Sequence, residues 1–140
     1  MSKFVETEYG SGKEILKFPD YYVALSVMVD DAGVAANAQG RKIVPKGTIV
    51  GGNNGSVIDN IDKPVIDKVV ITDNEGVITV SATGAEGVLM NDVDVTYGPK
   101  EGAMVIHGFI KVDALPYTNL DKVLAAVRSL DAFSMIKFIK

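Results

Sequence analysis

Residues 89–96 read Leu89-Met90-Asn91-Asp92-Val93-Asp94-Val95-Thr96, and their alternation decides the fold class. Leu89, Val93 and Val95 share one side while Asp92, Asp94 and Thr96 share the other, the period of two expected of a strand with one wet face. Tyr97 to Gly102 (YGPKEG) reads as a turn. Met104 to Val112 then resumes, with Met104, Ile106, Ile110 and Val112 on one face and His107, Lys111 and Asp113 on the other. The two stretches are expected to form an antiparallel pair.

C-terminal to this pair the period changes. Leu120, Val123, Leu124, Val127 and Leu130 recur at three- and four-residue spacing, the stripe of an amphipathic helix. Thr118 or Asn119 is placed to supply the N-cap oxygen, and Asp121 suits the first turn of the helix dipole. The tail Ser134 to Lys140 (SMIKFIK) returns to strand-like composition.

N-terminal to it, Lys68–Thr72 and Val77–Ala82 flank Asp73-Asn74-Glu75-Gly76 as a β-hairpin. Val57 to Asp67, which contains Pro64, reads as loop with at most an edge strand. Gly51 to Gly55 (GGNNG) is expected to be a loop tip, because Gly and Asn enter left-handed backbone conformations most cheaply. Pro45-Lys46-Gly47 predicts a tight hairpin-like turn between Ile43-Val44 and Thr48-Ile49-Val50. Tyr21 to Val29 (YYVALSVMV) reads as a buried strand. Residues 1–20 mix charges with Phe4, Val5, Tyr9, Ile15, Leu16 and Phe18 and are broken at Gly10, Gly12 and Pro19. Pieces that short cannot hold a helix alone, so they form an arm that takes its order from a sheet or a partner.

The expected architecture is therefore α+β, mainly antiparallel β with one C-terminal amphipathic helix, in a small β-sandwich or barrel-like domain over 21–140 behind an arm over 1–20. Leu25, Val27, Ile43, Val93, Val95, Ile106, Ile110, Leu120, Leu124 and Val127 are expected to share one core.

Composition narrows the function. The 140 residues are 47% hydrophobic and 23% charged, as in an ordinary packed domain. Against 14 Lys plus Arg stand 18 Asp plus Glu, a net charge of −4, so general attraction to phosphate backbones or anionic lipid is missing. Neither nucleic acid nor membrane is an expected partner. Without cysteine, disulfides, thiolate metal sites and cysteine nucleophiles are excluded. The first residues carry no apolar stretch of signal-peptide length, so synthesis in the cytoplasm without export by the usual route is expected.

No catalytic constellation is visible, and the protein is not expected to be an enzyme. His107 is the sole histidine and sits on the polar side of its strand, where a structural or surface role outweighs proton transfer. No serine lies in a Gly-x-Ser-x-Gly elbow. Asp92 and Asp94 could share a hard cation, but a calcium site needs six to eight oxygens from several segments, so a solvated face is the better reading. A glycosidase built from two of Asp92, Asp94 and Glu101 is disfavoured because carboxylates two apart on a strand are too close and too parallel to flank a sugar. Gly51 to Gly55 matches no phosphate-binding pattern. No cofactor or metal is expected.

Three segments resemble the lambda-type head decoration proteins of tailed bacteriophages. They are Gly40 to Thr48 (GRKIVPKGT), Gly87 to Thr96 (GVLMNDVDVT) and Ala103 to Ile110 (AMVIHGFI), in that order, and the likeness spans roughly residues 35–115. Three features depart from the family: the longer stretch from Val57 to Ala82, the C-terminal helix, and an N-terminal arm poorer in Ser, Thr and Pro. The resemblance implies a capsid-stabilising protein, synthesised in the bacterial host cytoplasm and carried on the outer surface of the virion head. It would bind the major capsid protein as a homotrimer and clamp adjacent subunits of the expanded shell. The arm residues Phe4, Val5, Tyr9, Ile15, Leu16 and Phe18 are the candidates for capsid binding. The competing reading is another virion-surface binding module, for carbohydrate or a receptor, although aromatics at 7% and the lack of Trp leave little stacking surface.

Overall fold

Strand β9 (Lys100–Lys111), 12 residues long, is the spine of the protein, and the other elements are most simply placed by their relation to it. The computed structural model describes residues 15–18 and 21–139. In chain order the remaining strands are β1 (Val23–Val29), β2 (Ile43–Val44), β3 (Ile49–Gly52), β4 (Val65–Asp67), β5 (Val70–Asn74), β6 (Val77–Ser81), β7 (Gly87–Leu89), β8 (Val93–Asp94) and β10 (Ile136–Ile139). Helix α1 spans Leu120–Arg128. The chain is thus mostly β with one helix near the C-terminus, compatible with a small α+β domain.

The main sheet has six strands in the order β1-β4-β3-β7-β9-β10, and β1 also pairs with β9. It is mixed. β1 runs antiparallel to β9 from Val29↔Lys100 to Val23↔His107, whereas β10 runs parallel to β9 with Phe138↔Ile110 at its centre. β4 meets β1 in parallel at Val29↔Val65 and β3 antiparallel at Gly52↔Val65. It is therefore an interior strand where the sequence read as loop with at most an edge strand, and Pro64 is tolerated because it lies just before the ladder begins.

Residues 89–96 do not form one strand. Leu89 ends β7, which pairs with β9 through Val88↔Val105 and Leu89↔Met104, while Val93 and Asp94 form β8 and pair with β2. At the break Asp92 Oδ1 accepts the Lys46 N–H at 2.8 Å, tying this bend to the turn after Pro45. The turn after Pro45 does form, closed by Thr48 N–H to Pro45 O at 3.3 Å with Gly47 at φ 85°. It does not make a hairpin, because β2 pairs with β8 while β3 pairs with β4 and β7. The β5–β6 hairpin closes on Glu75-Gly76, both at positive φ, as a two-residue loop between strands of right-handed twist requires.

Two buried clusters replace the single expected core. One gathers Ile15, Leu16, Ile49, Val88, Val105 and Ile110 with Val123, Leu124 and Val127 of α1. The other gathers Val27, Val29, Val50, Val57, Val65, Leu89, Val93, Val95 and Met104. Neighbours in sequence, Ile49 and Val50, Val88 and Leu89, Met104 and Val105, fall in opposite clusters, as the alternation of a strand requires. β9 changes sides midway. The register shifts between Val23↔His107 and Ala24↔Val105, leaving an extra β9 residue there. Consequently Met104 and Ile106 pack in the second cluster but Ile110 and Val112 in the first, although strict alternation put all four on one face.

Of the expected core, Ile43 is 41% exposed, and Leu25, Ile106 and Leu120 are partly buried against the clusters. Asn119 is the N-cap of α1 but holds φ 54° and gives no side-chain cap. Its carbonyl instead accepts Lys122 N–H and Val123 N–H at 3.0 and 3.1 Å.

Candidate interaction surface

Phe4, Val5 and Tyr9 lie outside the described residues. The structure separates the other three arm candidates. Ile15 and Leu16 are 0% and 1% exposed and belong to the first cluster. Lys111 N–H donates to Ile15 O and Lys17 N–H to Phe109 O, each at 2.8 Å, with Leu16 bridged to Ile110. Residues 15–17 thus lie antiparallel beside β9, in line with β1. Phe18 is 42% exposed and meets Phe109 edge to face, ring centres 5.2 Å apart.

An aromatic surface is built at this point. Lys17 is bonded opposite Phe109 and Val23 is paired with His107, so only Gly108 separates the two contacts along β9. Phe18, Tyr21 and Tyr22 leave the ladder there. Tyr21 N–H donates to Phe18 O at 3.1 Å, and Gly108 N–H donates to Met135 O at 3.1 Å. A Cβ on Gly108 would lie 3.3 Å from Tyr22 Cβ and 3.4 Å from Tyr21 O, so the glycine admits the close approach of this segment. Tyr21 is 70% exposed, and Tyr22, Val23 and Met135 are also exposed. Sequence reading missed this surface because YYVALSVMV looked like one buried strand; the signal available was a pair of bulky aromatics close behind Pro19.

The carboxylates are bound to separate tasks. Asp92 holds the Lys46 N–H, while Asp94 pairs with Arg41 at 2.5 Å and accepts from the Thr96 N–H and hydroxyl. These hydrogen bonds, with the Arg41 charge, keep Asp94 below the usual carboxylate range despite some desolvation. Arg41 also lies 5.7 Å from the ring centre of the exposed Tyr97. Glu101 accepts the Ser26 hydroxyl. Among the described residues no group of three or more His, Asp or Glu side chains gathers as a metal site. His107 is exposed on β9.

Two polar centres were not anticipated, one buried and one half-buried. Glu86 Oε1 accepts Gly52 N–H and Val57 N–H at 3.0 and 2.9 Å, and its Oε2 accepts Ser56 Oγ and Ile58 N–H at 2.7 and 3.1 Å. Burial opposes its charge, but the four donors outweigh it and hold its pKa below the ordinary value. A charged residue between the small residues Ala85 and Gly87 was the available signal. Tyr117 accepts Ile49 N–H and donates to Asp67, beside a cavity of about 370 Å³ that is also lined by Asp30, Val34, Ile43 and Thr48.

No family model, curated protein or solved structure matches the chain.

Proposed function

We propose that the protein is a virion structural protein that binds the outer surface of a tailed-phage head and stabilises the expanded capsid. The observation that carries the reading is the aromatic surface of Phe18, Tyr21, Tyr22 and Met135, exposed where the N-terminal segment joins β9. Exposed aromatic and Met side chains gathered in one place are suited to anchoring on another subunit. The three segments of the phage-decoration resemblance also pack as hydrogen-bonded neighbours. β2 pairs with β8, Leu89 N–H donates to Thr48 O, and β7 pairs with β9.

In this reading the partner is the major capsid protein and the working form is a homotrimer at the head surface. The fold reading is a small barrel: β1, β9, β7, β3 and β4 pair in a ring around Val27, Val29, Val50, Val65, Leu89 and Met104. The test mixes purified protein with mature heads and with unexpanded procapsids and sediments both. Cosedimentation with mature heads, weakened when Tyr21 and Tyr22 are changed to Ser, is expected. Failure to bind either particle, by a protein that melts normally, refutes the assignment.

A further inference from the structure

The Gly51 to Gly55 stretch, read from sequence as a turn, carries chemistry that head binding does not use. Asn54 and Gly55 are exposed at the end of β3. Lys63 Nζ donates to the Asn54 carbonyl oxygen at 2.6 Å, and it stands 2.7 Å from where a Cβ on Gly55 would lie. The ammonium therefore sits over the peptide unit joining the two residues. Among the described residues no hydrogen bond engages the Gly55 N–H or the Asn54 side-chain amide. Three other loop asparagines differ. Asn53 donates its amide to Asp30 Oδ2 at 2.8 Å, Asn60 accepts the Asp62 N–H, and Asn37 accepts the N–H groups of Gln39 and Arg41. Asn54 is also the sole asparagine followed by glycine, which has no side chain to obstruct attack by its own nitrogen.

The geometry points to Asn54-Gly55 as a self-modification site, in which Lys63 promotes conversion of Asn54 to aspartate and isoaspartate. A cation hydrogen-bonded to a peptide oxygen draws charge from the adjoining nitrogen and favours its deprotonated form. The Gly55 nitrogen gives its proton to solvent and bonds to Asn54 Cγ, closing a succinimide ring. The Cγ–Nδ2 bond breaks, and the side-chain nitrogen takes a proton from water and leaves as ammonia. Water then opens the ring at Cγ, giving aspartate, or at the main-chain carbonyl, giving isoaspartate. No oxidant or reductant enters.

The product changes a tightly held loop. Gly55 O already stands 1.8 Å from where a Cβ on Gly52 would be, and Glu86 grips Gly52 on one side and Ser56, Val57 and Ile58 on the other. Isoaspartate lengthens the main chain by one carbon between these fixed points and adds a negative charge beside Lys63. The loop is thereby marked by age.

Incubating the full-length protein in mildly alkaline buffer, followed by intact-mass measurement and peptide mapping that separates isoaspartate, tests the site. The amide-to-acid mass gain is expected on the Asn54 peptide, absent in Asn54→Gln, slowed several-fold in Lys63→Gln and restored in Lys63→Arg. No gain while a free peptide of residues 51–58 converts fully, or gain chiefly at another asparagine, overturns the site. An equal rate in Lys63→Gln, folded by its thermal melt, overturns the role of the lysine.

Discussion

The Tyr117 hydroxyl donates its proton to Asp67 Oδ1 at 2.9 Å and its own oxygen accepts the Ile49 N–H at 2.8 Å, so one side chain joins β3, β4 and the segment leading into α1. Burial, with the Asp67 carboxylate beside it, pushes the Tyr117 hydroxyl far above its ordinary value and keeps it a donor. Tyr117→Phe should cost about 1–3 kcal/mol, the range for leaving a buried hydrogen-bonding group unpaired. Urea unfolding checks this, and a loss below half a kcal/mol would mean the bridge is dispensable.

Asp67 and Glu86 should respond oppositely to acid. Desolvation where it meets Tyr117 raises the Asp67 pKa above 3.8, although Val69 N–H and Tyr117 oppose the shift and the residue as a whole reaches solvent. The folded state then binds the proton more tightly than the unfolded one. The ionised carboxyl therefore lowers stability, and this penalty appears as pH rises from 3.8 through the raised folded value. Asp67→Asn keeps an acceptor for Tyr117 and should raise Tm at neutral pH relative to wild type, with the advantage shrinking as pH falls through that window. An advantage that grows in acid would show the sign to be wrong.

Glu86 has the reverse sign. Its folded pKa lies below 4.5, so its contribution is fully present above 4.5 and is lost as pH falls through the folded value. Glu86→Gln puts an amide NH₂ among four donors and should cost about 1–3 kcal/mol at neutral pH. The gap from wild type should narrow in acid. A gap independent of pH would indicate that shape, not charge, holds the Gly52 to Ile58 loop.

Leu124→Ala should cost on the order of 2–5 kcal/mol, as for a buried leucine whose site only partly collapses. Ile43→Ala, at a position 41% exposed, should stay within about half a kcal/mol to one kcal/mol. Equal losses at the two positions in chemical denaturation would contradict the placement of Ile43.

The chain before residue 19 should divide at Ile15. Deleting residues 1–18 removes Ile15 and Leu16, which deletion of 1–14 spares, each worth roughly 1.5–3 kcal/mol when fully buried. The longer deletion should lower Tm markedly further than the shorter one. If both melt alike, the strip beside β9 contributes little, and the difference in head binding between them can be read directly.

Periodicity made β1, the β5–β6 hairpin, β9 and α1 legible in the sequence, since each is long enough for its pattern to repeat. What it concealed was pairing. Residues 89–96 alternate correctly, yet the chain bends between Leu89 and Val93, which serve different sheets. Gly51 and Gly52 looked like a loop because glycine permits loops. In fact they lie in β3, where Cβ atoms would fall 2.0 Å from Gly84 O and 1.8 Å from Gly55 O. A close approach between segments distant in sequence leaves no periodic trace. For the candidate site, Phe18 stood in the sequence as one of six arm candidates, but its neighbour Phe109 and the approach of Tyr22 and Met135 to Gly108 depend on how the chain is brought beside β9. The buried placement of Ile15 and Leu16 likewise depends on β9 running alongside them.

Alternation along β9 makes this one strand a wall of both hydrophobic clusters, with Met104 on one side and Val105 on the other, and its bulge turns Ile110 and Val112 into the first cluster. Its first half is flanked by β1 and β7, and its second by residues 15–17 and β10. No part of its middle can be exposed without parting a ladder and opening a cluster. Amide protons along Met104 to Ile110 that donate into these ladders should accordingly exchange with deuterated solvent last, at the rate of global opening. The two clusters should then melt as one cooperative unit although they share no face.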